Sequence, residues 1–125
     1  MSARRVGQRD FSKALRQNYG GRCAITGCNT SAALQAAHIS LRQGADDNSP
    51  VNGILLRADI HALFDALLIT FSPDGRSIGV SSSLIDPSYD FLKKGVKIAK
   101  PIFGPPSLEN ITDHRQRFRE HNGLL

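Results

Sequence analysis

The chain has no tryptophan, one methionine and only two cysteines, Cys23 and Cys28. Two cysteines exclude a four-cysteine zinc site. A mixed site completed by His114 and His121 would need loose Cys-x4-Cys and His-x6-His spacings. Two reduced thiols flanking a turn are the plainer expectation. Aromatic residues make up 6% of the chain, and most are needed for a core. That argues against a stacking platform of the single-strand-binding type. Long apolar runs are also missing: Ala66-Leu67-Leu68-Ile69 falls far short of the roughly 20 residues that span a bilayer. No apolar signal region follows the basic start Met1-Ser2-Ala3-Arg4-Arg5, so no membrane and a cytoplasmic location are expected.

Acidic residues are outnumbered, 11 to 16, giving a net charge of +5. Arg4, Arg5, Arg9, Lys13, Arg16 and Arg22 face one acid, Asp10, near the start. Lys93, Lys94, Lys97, Lys100, Arg115, Arg117 and Arg119 form the second basic stretch, against Glu109 and Asp113. Clustered bases attract polyanions, of which nucleic acid is the commonest. The 125 residues amount to one domain with a modest core.

Asp10 can cap a helix running to about Tyr19, with Phe11, Ala14, Leu15 and Asn18 on one stripe and Gly20-Gly21 as the stop. Cys23 to Thr30 is rich in turn residues. Leu34 to Ile39 reads as a strand, and Ser40 to Pro50 as a polar surface loop. Asn52-Gly53 signals a turn, with Ile54-Leu55-Leu56 as a second strand. Asp59 can cap a short helix from Ile60 to about Ala66. Leu67–Phe71 and Ile78–Val80 flank Ser-Pro-Asp-Gly-Arg as a hairpin. Residues 81–106 read as irregular loop. Ser107 caps a last helix, with Leu108, Ile111 and Phe118 on its apolar side. The fold class is therefore α+β: a central strand, loop, strand and helix, with a helix before and a hairpin and helix after.

Three polar residues punctuate that centre. His38 ends the first strand, Asn52 opens the second, and His61 lies in the first turn of the helix. A hairpin with a helix packed across it would bring them to one place. A neutral imidazole can take a proton from water near neutral pH. A second imidazole can hold a divalent cation that neutralises a phosphate. An asparagine side chain can brace a loop by bonding its backbone.

Cys23-Ala24-Ile25-Thr26-Gly27, Leu34-Gln35-Ala36-Ala37-His38-Ile39 and the run from Asn52 to Asp65 (Asn-Gly-Ile-Leu-Leu-Arg-Ala-Asp-Ile-His-Ala-Leu-Phe-Asp) together resemble the HNH endonuclease family. The likeness is closest to the Ala-Ala-His-Ile branch common in restriction-type proteins. The flanks are similar too, in Gln8-Arg9-Asp10-Phe11, Tyr19-Gly20-Gly21-Arg22 and His114-Arg115 with Phe118. The resemblance implies a ββα-metal core over residues 23–72 within a single domain, 1–125. It implies His38 as general base, Asn52 as loop brace and His61 as metal ligand. The cofactor would be one divalent ion, Mg²⁺ first, with Mn²⁺ or others accepted, and the products a 5′-phosphate and a 3′-hydroxyl. DNA is the implied partner, beside a larger nuclease or defence complex or a second copy of the chain. Many members place a metal ligand just before the base, where this chain has Ala37. Asp65, one helical turn after His61, is the residue expected to bind the metal or orient His61 in its stead. Arg57 and Arg115 are candidate contacts to DNA phosphates. Two other readings stand beside this one: a DNA-binding or scaffold domain of the same fold without cleavage, and a small structural zinc domain.

Overall fold

The computed structural model describes residues 7–41 and 47–124. Arg4, Arg5 and the loop residues Arg42, Gly44 and Asp46 lie outside them. The centre is an antiparallel pair, β1 (Leu34–His38) and β2 (Gly53–Arg57), in the register Leu34↔Arg57 through His38↔Gly53. Side chains alternate across a strand, so Leu34, Ala36 and His38 share one face and Gln35 and Ala37 the other. Helix α1 (Gln8–Asn18) packs on both strands and sets Phe11 against His38, and α2 (Ala58–Asp65) follows β2 directly and also packs on both strands.

At Gly53 helix α1 packs directly on β2. A Cβ at Gly53 would sit 2.5 Å from Leu15 Cδ1 and 2.5 Å from Phe11 Cζ. Only glycine admits that approach. Its backbone is extended, with φ −147°, and Asn52 before it ends a single 3₁₀ turn, Pro50–Asn52. The expected Asn-Gly turn is thus a strand entrance, and the glycine answers to packing rather than to turn geometry.

After α2, Leu67 takes a left-handed backbone (φ 60°) that ends the helix. The chain then forms the hairpin β3 (Ile69–Phe71) and β4 (Ile78–Val80). Residues 81–106 are less shapeless than expected: a 3₁₀ stretch, Pro87–Lys93, buries Leu92, and Ser77 bridges Lys97. Helix α3 (Leu108–His121) closes the fold against β3. Ser107 caps it, its Oγ accepting from the Asn110 amide at 3.1 Å. Its inner face carries Asn110, Ile111, His114 and Phe118. Leu108, expected inside, is 64% exposed.

Two caps differ from expectation. Helix α1 starts after Gly7, in the left-handed region, and Asp10 lies inside its first turn, where a carboxylate still favours the helix dipole. Helix α2 starts after Arg57, and Asp59 lies within it. None of the described helices is long and apolar enough to cross a membrane.

Candidate active site

His38 stands at the end of β1 with its ring stacked on Phe11 of α1, centroids 4.2 Å apart and planes 6° from parallel. Its Nε2 lies 2.8 Å from Asn48 Oδ1. A carbonyl oxygen only accepts, so Nε2 carries the proton and the basic nitrogen of the neutral ring is Nδ1. The stack fixes the ring plane and Asn48 fixes which edge turns outward.

Asn52 is buried, and every polar atom of its side chain is used. Oδ1 accepts from the Ser40 amide at 2.8 Å, and Nδ2 donates to Ser40 O at 3.2 Å and Asp47 O at 3.0 Å. Its own carbonyl accepts from the Ile39 amide at 3.0 Å. One amide therefore ties both ends of the 40–50 loop to the start of β2, and Asn48 leaves from that same clamp toward His38. Asp47, read in sequence as a surface turn residue, is buried because of it.

His61 meets β1 at Gln35, three residues before His38. Its Nδ1 is 2.7 Å from Gln35 Oε1 on β1, and its Nε2 is 3.1 Å from Asp65 Oδ2. The structure thus gathers the expected residues into two groups. His38, Asn52 and the loop form one, and His61, Asp65 and Gln35 the other. Ala37, fully buried and paired with Ile54, lies between them on β1.

Arg57 and Asp59 hold each other. Arg57 Nε and Nη2 donate to the two Asp59 oxygens at 2.6 and 3.0 Å, and Tyr89 Oη adds a third bond at 2.9 Å. The Arg57 guanidinium, helped by Tyr89, holds the Asp59 carboxyl down at about 2. Asp59 is therefore neither an N-cap nor turned toward His61's partners. Arg115 donates from Nη1 to Phe71 O at 3.0 Å, so part of its guanidinium anchors α3 to β3. Sequence reasoning missed Asn48, Gln35 and Arg117, whose Nη2 donates to Ile39 O at 2.6 Å, one residue beyond His38. Only the even spacing of a polar residue among the apolar ones of β1 could have singled out Gln35.

The residues present supply two donors for a divalent ion. No group of three or more His, Cys, Asp or Glu side chains is placed to hold a metal among the described residues. His61 Nε2 and Asp65 Oδ2 offer two donors at an open edge, and Mg²⁺ keeps several waters beside one or two protein ligands. A structural zinc shared with His114 does not fit. His114 is buried against Phe64, its Nε2 donating to Phe64 O at 3.1 Å and its Nδ1 bonded to Thr70 Oγ1 at 2.7 Å. Both nitrogens are spent within the core. Cys23 and Cys28 are free thiols, with Cys23 Sγ accepting from the Thr26 amide at 3.3 Å.

No curated protein matches the chain. Residues 23–72, running from the cysteine turn through the β1–β2 hairpin and α2 to just past β3, match the family model described as HNH endonuclease. With its α+β architecture and a hairpin-helix centre, the matched segment is similar to the HNH endonucleases and consistent with the ββα-metal fold.

Proposed function

We propose that the whole chain is an HNH nuclease of the Ala-Ala-His-Ile branch that hydrolyses DNA phosphodiester bonds with one divalent ion, Mg²⁺ first. The observation that carries this reading is the loop clamp. A buried asparagine spends all three of its hydrogen bonds on the loop whose Asn48 aims His38, inside the segment that matches the family.

His38 is the general base. Nδ1 takes a proton from water, and the imidazolium so formed keeps its Nε2 bond to Asn48. Phe11 shields one ring face, so the ring cannot swing away from its water. Asn52 acts by holding the loop and touches no reacting atom. His61 and Asp65 are the residues that would hold the cation. When bound, it neutralises charge on the phosphate and the leaving oxygen. Arg115 and Arg57 contact flanking phosphates, Arg57 through Nη1, the guanidinium nitrogen that Asp59 does not hold. One chain cuts one strand. A double-strand break needs two successive nicks, a homodimer or a larger defence complex.

Purified protein is incubated with supercoiled plasmid and Mg²⁺, Mn²⁺ or EDTA. The expected result is nicked or linear DNA with either metal and none with EDTA, with ends that a ligase rejoins directly. Binding without cleavage in every metal replaces this reading with the silent DNA-binding domain, and Ala37 supplies its reason.

A further inference from the structure

We infer that Gln35 is a positioning residue that selects the metal-binding nitrogen of His61, an inference that rests on the metal-site reading above. Gln35 lies on β1 opposite Leu56, and its side chain is exposed. An exposed strand position ordinarily carries a polar residue, so what matters is what this one touches. Its Oε1 lies 2.7 Å from His61 Nδ1. A carboxamide oxygen accepts and cannot donate, so the single proton of the neutral imidazole is drawn to Nδ1. The lone pair then belongs to Nε2, and it faces Asp65 Oδ2 at 3.1 Å.

Two electron-rich atoms at that separation repel unless a cation lies between or beside them. A divalent ion satisfies them with the ring neutral. Two ligands about 2.1 Å from an octahedral ion and at right angles to each other lie about 3 Å apart. The His61–Asp65 spacing matches that edge.

The opposite tautomer has the contrary effect. With the proton on Nε2, the same 3.1 Å contact is a hydrogen bond from His61 to Asp65, which turns the ion away. Gln35 opposes that bond. It occupies Nδ1 with a bond that exists only when Nε2 is bare. Partners of this kind behind a ligating histidine typically change metal affinity 10- to 100-fold.

The test is calorimetric titration of Mn²⁺ into the wild type, Gln35→Leu, Gln35→Glu and His61→Ala, with ¹⁵N spectra of the His61 ring in the metal-free proteins. Gln35→Leu is expected to weaken Mn²⁺ binding about 10- to 100-fold and to move the ring proton toward Nε2. Gln35→Glu, which still accepts from Nδ1, is expected to restore both. Wild-type affinity and an unchanged tautomer in Gln35→Leu, with binding lost in His61→Ala, overturn the role of Gln35 alone. Unchanged Mn²⁺ affinity in His61→Ala overturns the metal site itself and the Gln35 inference with it.

Discussion

At the scale of single residues, the site depends on amides as much as on imidazoles. Asn52 is the clearest case, because its side chain is buried and bonded to the backbone on both sides of a loop. Asn52→Ala removes those partners and leaves buried backbone groups unsatisfied, at about 1–3 kcal/mol for each such group. The expected outcome is a lower denaturation midpoint together with loss of cleavage, read by urea unfolding monitored by circular dichroism. His38, Asn52 and His61 stand out in sequence as candidates because their types and order suggest chemistry. Asn48 and Gln35 do not. Each is an ordinary polar residue in a strand or loop, and its role exists only through a partner that folding brings near. Arg57 was read as a contact to DNA phosphates, yet two of its nitrogens are held by a carboxylate two residues along, which a charge tally does not register.

At the scale of elements, the sequence carried the order of strand, loop, strand and helix, because apolar runs and stop signals are local. It misread the reasons for several boundaries. Asn52-Gly53 looks like a turn on dipeptide chemistry, but Gly53 is small because α1 packs directly on it. Gly53→Ala is expected to force α1 outward and cost roughly 1–3 kcal/mol as an overpacked contact. Since Phe11 holds the His38 ring from the same helix, the variant is also expected to cleave more slowly at unchanged metal affinity. A thermal melt beside a single-turnover assay checks both effects. Helix α3 was misjudged differently. Its buried stripe includes Asn110 and His114, polar residues that an apolar periodicity passes over, while Leu108 faces solvent. The partners that satisfy them, Val51 O for Asn110 and Thr70 with Phe64 O for His114, are distant in sequence.

At the scale of the whole molecule, the buried histidine sets a pH limit on stability. Burial, reinforced by the nearby Arg117 charge, pushes His114 down from 6.5 to about 4. Above pH 6.5 the folded and unfolded chains both hold this ring neutral. As pH falls from 6.5 toward 4, only the unfolded chain takes up the proton, so stability declines across that window and levels off below it for this group. The loss is about 3 kcal/mol at most. Replacing His114 with glutamine is expected to lower stability at pH 7.5 and to flatten that decline, as urea midpoints between pH 7.5 and 4.5 would record.

The proposed reaction turns on His38 as the base of a metal-dependent phosphodiester hydrolysis. The most direct measurement is single-turnover cleavage of a duplex by wild type and His38→Ala at saturating Mn²⁺, with melting temperature and Mn²⁺ affinity measured on both. A base contributes roughly 10²- to 10⁴-fold, so the variant is expected to lose at least 100-fold in rate while folding and metal binding persist. A His38→Ala protein that cuts at the wild-type rate would rule His38 out as the base and return that role to the other residues at the end of β1.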